Sequence, residues 1–332
     1  MKQIVIEQYI RDIAKDYLVA LRIKGLGRYK TPEERLSDFE SELRDIHHLP
    51  DYANYIKEIR RLYPIIIRLQ PNYYEWFHER YFESLTNKIN LSTSIKIGAT
   101  SMKFYEWVSD RMRYEDVRSS KLLPYIKRLK IKTCCYCNAQ YATTFIKNRD
   151  SMASYDLDHF YPQSKYPYLS TSFFNLIPSC SCCNRHKSNR NDFHYPLYVN
   201  KYKQLLKFNI KPSSIIEYWL TADYRKLKID IIDRKDAELG FADKYDNVFH
   251  IRKLYTAHLD EVEEVLWKSK IYNDSYLEQL RKSFENLFAH ESEKFWRLYY
   301  GFYIKDSDIL MRPLSKMKQD IAKQIGLMKK RV

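Results

Sequence analysis

Six cysteines fall in two tight clusters, Cys134, Cys135 and Cys137 in the run CCYC, and Cys180, Cys182 and Cys183 in CSCC. Each cluster holds a C-x-x-C pair, Cys134 with Cys137 and Cys180 with Cys183. Two such pairs complete a tetrahedral four-cysteine zinc site, because each wraps a tight knuckle around one metal. The 42 residues between Cys137 and Cys180 far exceed the roughly 15–20 of an ordinary zinc ribbon. The knuckles therefore enclose an insert. It carries Asp158, His159 and Pro162, then Asn175-Leu176-Ile177-Pro178, and the second pair runs directly into Asn184, Arg185, His186 and Lys187. Imidazole titrates near working pH, which makes His159 a candidate general base. Asp158 offers a hard oxygen suited to Mg2+ or Mn2+, and Asn184 a neutral carbonyl oxygen for the same ion. Asp156 shares a strand face with Asp158 and is the alternative ligand; His186 is the alternative to Asn184.

The order D-H-x-x-P, N-L-I-P and C-x-x-C-N-x-x-K resembles the HNH endonuclease family in its zinc-stapled ββα-metal form, with Asn at the third signature position. The motif covers about residues 130–192. Its wording is also similar to HNH subunits of bacterial anti-phage systems, notably the Septu-type and retron-associated ones. The resemblance implies hydrolysis of nucleic-acid phosphodiesters with one divalent ion at the scissile phosphate, bound at positions 158 and 184. Phosphodiester hydrolysis needs an activated water, a cation at the developing charge and neutralisation of the phosphate. Asn175 then corresponds to the family's central Asn, holding its loop and orienting His159. Arg185, Lys187 and Arg190 are candidate phosphate contacts. The resemblance further implies zinc as a structural cofactor, Mg2+ or Mn2+ as the catalytic one, products with a 5′-phosphate and a 3′-hydroxyl, and a partner ATPase. DNA stands ahead of RNA as substrate.

These side chains need elements to hold them. Residues 140–146 have the β-branched and aromatic composition of a short strand, with 152–157 as its partner, and a helix starts at 182. Adjacent residues on a regular strand point to opposite faces, so Asp158 and His159 require a bend, and Pro162 is placed to end the strand. The first 125 residues read as helical. Ile6, Ile10, Ile13, Tyr17 and Leu21 form an amphipathic stripe, and Thr31-Pro32-Glu33-Glu34 is a helix start. Further helices are expected at 51–69, 72–86, 100–112, 114–129, 251–270, 275–289 and 313–327, and a strand at 227–231. The expected architecture is mainly α with a small ββα-metal zinc module, α+β overall: a helical region 1–125, the module at 126–200 and an α-rich region 201–332.

Composition narrows the class. The chain carries 57 Lys/Arg against 42 Asp/Glu, a net +15 that favours a polyanionic partner. Residues 121–210 hold 14 basic and four acidic residues, so +10 of the surplus surrounds the cysteines. Only 6 glycines occur in 332 residues, and the pair Gly25 and Gly27 lacks a third glycine and a preceding strand. A phosphate-loop ATPase or a Rossmann dehydrogenase is excluded. No apolar run reaches the roughly 18 residues of a membrane span, and acidic Glu7, Asp12 and Asp16 rule out a signal-peptide core at the start. With clustered thiols, this points to the cytoplasm. Cys135 and Cys182 read as small packing residues, and Tyr161, Tyr166 and Tyr168 as the tyrosines closest to a substrate. A zinc-dependent nucleic-acid-binding module without catalysis is the alternative function, and an RNA- or tRNA-cleaving effector is the alternative within the enzyme class.

Overall fold

The apolar stripes become helices with one buried face. The computed structural model describes residues 3–23, 30–148, 150–188, 195–288 and 292–328. Ile10, Ile13, Tyr17 and Leu21 are the inner side of α1 (Gln8–Arg22). Thr31 and Glu34 close a capping box on α2 (Pro32–Ser41), with Pro32 in its first turn. α2 packs on α3 (Pro50–Ile67), which buries eight side chains and contains Pro64. Next come α4 (Tyr74–Tyr81), the antiparallel hairpin β1 (Ser94–Ile97) and β2 (Thr100–Lys103), α5 (Phe104–Arg111) and α6 (Leu123–Arg128). The helix expected at 100–112 thus starts only at Phe104. Its first residues pair backwards across Gly98, whose φ of +58° suits a tight turn. The helix expected at 114–129 is broken, with the left-handed Arg113 (φ +62°) ahead of a wide turn at Val117–Lys121.

Two more hairpins follow. β3 (Thr144–Lys147) pairs antiparallel with β4 (Asp150–Ala153). The strand expected over 152–157 is split, because Asp156 starts a new strand with a different partner. β5 (Asp156–His159) pairs antiparallel with β6 (Leu176–Ser179), in the register Asp158 opposite Ile177 and His159 opposite Leu176. α7 (Ser181–Lys187) leaves β6 directly. A short parallel pair joins Ile4–Val5 to Tyr198–Val199. These elements belong to one compact unit, Gln3–Ile131 with Ala142–Tyr202.

The second unit is Lys132–Tyr141 with Lys203–Val332. β7 (Leu206–Ile210) and α8 (Pro212–Thr221) precede β8 (Ile229–Asp233), which pairs antiparallel with β7. α9 (Phe241–Phe249), α10 (Ile251–Thr256), α11 (Leu259–Ile271), α12 (Asp274–Ser283), α13 (Ser292–Tyr300) and α14 (Ser315–Gln324) complete it. On α14, Gln324 accepts from Ile210 N at 2.9 Å and donates to Ile210 O at 2.8 Å, covering the free edge of β7. Among the described residues helix makes up 57% and every sheet is two-stranded, so the fold is α+β with helix dominant. Among the described residues no helix is long and apolar enough to cross a membrane.

Within this unit the first knuckle is held by side chains far away in sequence. Tyr245 Oη donates to Tyr136 O and Tyr255 Oη to Cys137 O, each at 2.7 Å. Asn138 is fully buried at φ +54°, a conformation asparagine tolerates better than most residues. Its Nδ2 donates to Thr133 Oγ1 (2.9 Å) and Ile309 O (3.1 Å), while its Oδ1 accepts from Lys316 N (3.0 Å). Asn138→Ala strands these buried groups and strains the backbone. We expect it to lower stability by on the order of 3 kcal/mol. An unshifted urea midpoint in that variant would contradict the assignment.

Candidate active site

The second knuckle sets the geometry. Cys180 is the N-cap of α7, and its Sγ accepts from Cys183 N at 3.5 Å. Four residues apart on one helix face, Cys183 and Lys187 are both buried against the β5–β6 hairpin. Asn184 sits beside that face, and Arg185 is exposed. The result brings Asp158, His159, Asn184 and Arg185 to the wall of one cavity of about 290 Å3, together with Tyr114, Pro162 and Gln163.

β5 keeps regular pairing through His159, with no bend between it and Asp158. The cavity runs along the strand end, so Leu157, Asp158 and His159 all contribute to its wall. His159 Nε2 lies 3.0 Å from Ser170 O. A carbonyl only accepts, so Nε2 carries the proton and Nδ1 is left as the basic nitrogen. Burial is the main influence pulling the imidazole down to about 4; the Lys187 charge adds to it and the Ser170 bond opposes it. The ring is therefore neutral at physiological pH and able to accept a proton. Tyr114 packs on it with ring centroids 4.8 Å apart.

Asp158 is 4% exposed, and Lys187, 1% exposed, places its ammonium 2.9 Å from the Asp158 carboxylate and 2.7 Å from His159 O. Lys187, expected at a substrate phosphate, is thus committed to an internal ion pair. Asp156 accepts from Asn184 Nδ2 at 3.2 Å, and among the described residues Asn184 Oδ1 has no donor. The donor set, one carboxylate and one carboxamide oxygen on a shared cavity, fits a hard divalent ion that keeps most of its waters.

Asn175 is fully buried and braces the loop after His159. Its Oδ1 accepts from Tyr161 N (2.7 Å), and its Nδ2 donates to Leu169 O (3.0 Å) and Tyr161 O (3.2 Å). The imidazole itself is bonded to Ser170, one residue beyond that brace, so Asn175 acts on the loop and not on the ring. Arg190 lies outside the described residues. His186 is exposed, with Nδ1 4.0 Å from Cys182 Sγ.

Several expectations change. Tyr161 and Tyr168 are buried and join Tyr74, Phe77 and Phe82 in an aromatic core, Tyr161 edge-on to Tyr74 and Tyr168 stacked on Phe82, where ring packing offers more than water does. Tyr166 packs edge-on against Tyr161, with ring centroids 4.8 Å apart. Cys182 is exposed and cannot be a packing residue, whereas Cys135 is fully buried and its thiol is pushed up by burial. Reasoning from the sequence missed Ser170 and Tyr114. Ser170 acts through its backbone, which residue type does not reveal. Tyr114 lies 45 positions from His159 in a stretch that reads as helix.

The sulfur atoms of Cys134, Cys137, Cys180 and Cys183 all lie within 4.8 Å of one another. Tetrahedral zinc with bonds near 2.3 Å would hold them ~3.8 Å apart. Ala139 N donates to Cys137 Sγ at 3.4 Å, and Cys183 N donates to Cys180 Sγ. N–H bonds of this kind support thiolates. The cluster fits a structural zinc, and Cys135 and Cys182 stand outside it.

No curated protein and no solved structure matches the chain. One family model does, over residues 134–193, and its description is HNH endonuclease. That span begins at the first zinc-type cysteine and contains β5, β6, α7 and every residue named on the cavity wall except Tyr114. Residues 134–193 of this chain thus match the HNH endonuclease family model, which suggests a nuclease.

Proposed function

We propose that the chain is a metal-dependent endonuclease that hydrolyses nucleic-acid phosphodiesters. The observation that carries this reading is the convergence of Asp158, His159, Asn184 and Arg185 on one cavity. His159 Nδ1 takes the proton of the attacking water. Asp158 and Asn184 would hold one Mg2+ or Mn2+, which when bound supplies charge stabilisation at the phosphate. Arg185 neutralises a phosphate from the solvent side, with Arg190 as a second contact, while Lys187 fixes Asp158 and the end of β5. Asn175 keeps the loop that carries Ser170 in place. In this reading a zinc-stapled module at 126–200 sits between helical flanks. DNA is the first-choice substrate and RNA, tRNA included, its competitor. The finer role, effector of an anti-phage system acting beside an ATPase, rests on the likeness of the motif to the subunits of such systems.

The test is incubation of supercoiled plasmid and total RNA with wild type and His159→Ala, with Mg2+ or Mn2+. Plasmid nicking by wild type only is the expected result. Equal cutting by both proteins removes His159 from the mechanism.

One observation favours the competing reading of a binding module without catalysis: Asp158 already has a cation, Lys187. Lys187→Met separates the two. It leaves a buried carboxylate unpaired, for an expected loss of about 3–5 kcal/mol. If Asp158 also binds a divalent ion, millimolar Mn2+ raises the melting temperature of the variant more than that of wild type. An identical Mn2+ response in both proteins would count against Asp158 as an ion ligand.

A further inference from the structure

A second cavity, of about 310 Å3, shares no wall residue with the candidate active site. α1 contributes Arg11 and Ala14, three apart on one face. The end of α3 contributes Ile65, with Arg68 and Leu69 just beyond it, and Gln70, Tyr73 and Phe174 complete the wall. Its volume is at the lower end of the ~300–1,000 Å3 of small-molecule sites.

It carries charge without a partner. Several other arginines of the same unit are tied to carboxylates: Arg22 to Glu33, Arg35 to Asp110, Arg60 to Glu40 and Arg128 to Asp16. Among the described residues the Arg11 guanidinium makes no ion pair or hydrogen bond. Among the same residues Arg68 makes a single side-chain bond, from Nε to Pro64 O of its own helix at 3.1 Å, with no partner for its terminal nitrogens. Two guanidinium forks on one wall match the oxygens of a phosphate. Between them the surface is apolar, with Ala14, Leu69 and Phe174 buried, and Tyr73 is 50% exposed. An apolar wall with an exposed tyrosine ring suits a planar base, because every base presents a π-face. The Gln70 amide supplies both a donor and an acceptor for a base edge. An uncharged aromatic ligand would leave both arginines unused, and a bare anion would leave the apolar wall uncovered.

We infer that this cavity binds a nucleotide, with Arg11 and Arg68 on the phosphate and Tyr73 on the base. The nucleotide is either free or one unit of a nucleic-acid strand, since both present the same chemistry.

Calorimetric titration without added Mg2+ tests this, with adenosine 5′-monophosphate, adenosine, inorganic phosphate and a 5′-phosphorylated hexanucleotide as probes. We expect the monophosphate to bind wild type, and Arg11→Ala and Arg68→Ala each to weaken it by roughly tenfold or more. Tyr73→Ala is expected to weaken the monophosphate and leave inorganic phosphate unchanged. All three side chains are exposed, so unaltered melting curves are expected for the variants. A hexanucleotide that binds more tightly, with the same losses in the variants, supports the site and identifies a strand as the source. A monophosphate that binds as tightly as the hexanucleotide supports it and identifies a free nucleotide. His159→Ala retains this binding if the cavity is separate from the candidate active site. Loss of binding in His159→Ala, adenosine binding as tight as its monophosphate, or affinity unaffected by the arginine variants would each overturn the inference. So would the absence of binding by both monophosphate and hexanucleotide. Plasmid cleavage is scored separately, so a failed nucleotide site and a failed nuclease reading give different results.

Discussion

His159→Ala is expected to lower the rate of phosphodiester cleavage by about 10²–10⁴-fold, the usual contribution of a positioned general base. The argument rests on orientation as much as on residue type. Nε2 is occupied by Ser170 O, burial holds the ring neutral, and Tyr114 covers one side of it, so Nδ1 is the basic atom left for a water in the cavity. Alanine removes that atom and little else. The β5 ladder runs through backbone groups, and the Lys187–Asp158 pair does not involve the imidazole. Zinc content and the melting curve of His159→Ala should therefore match wild type while plasmid nicking drops. A variant that nicks at the wild-type rate refutes the proposed base, and one that fails to fold shows that the imidazole is structural.

Cys137→Ser is expected to have the opposite profile, loss of the fold before any question of activity. Structural zinc sites contribute about 10–16 kcal/mol of apparent binding energy in small peptides, and one lost thiolate removes a large share of it. Cys137 is fully buried, its Sγ accepts from Ala139 N, and its carbonyl accepts from Tyr255. We expect zinc to fall from one equivalent towards none and the cooperative melting transition to be lost or to give way to aggregation. Cys182→Ser is the matched control, since Cys182 is exposed and outside the cluster, and it should behave as wild type. Full zinc retention and a normal transition in Cys137→Ser would dismiss a structural zinc.

Much of the site was legible in the sequence because its chemistry is written in short range. The C-x-x-C spacing, the Asp158-His159 dipeptide and Asn184 directly after Cys183 are local patterns, and a capping box such as Thr31 with Glu34 is equally local. What escaped is long-range or carried by backbone. β5 has four residues and its partner begins 17 positions after its end, so no periodicity announces the pairing. The β1–β2 hairpin was legible in principle, since Ile95 and Ile97 alternate up to Gly98, but the following helical stripe from Phe104 masked it. Asn138 reads as a loop residue, and its partners Ile309 and Lys316 lie more than 170 positions away. The role of Lys187 depended on burial: a lysine in a basic run is ordinarily a solvated cation, and only its place on the inner face of α7 turns it towards Asp158.

That ion pair bears on the order in which the protein matures. A buried carboxylate with no counter-charge would weaken the fold until an ion or a proton neutralised it. With Lys187 as resident counter-charge, Asp158 is neutralised from within. On the proposed reading the two metals then enter biogenesis at different times. Zinc is required while the chain folds, and the catalytic ion can be acquired by the finished protein and released again without unfolding it. On that reading the protein would persist as a folded, zinc-bound form whose readiness follows the free divalent-ion level and not its own synthesis.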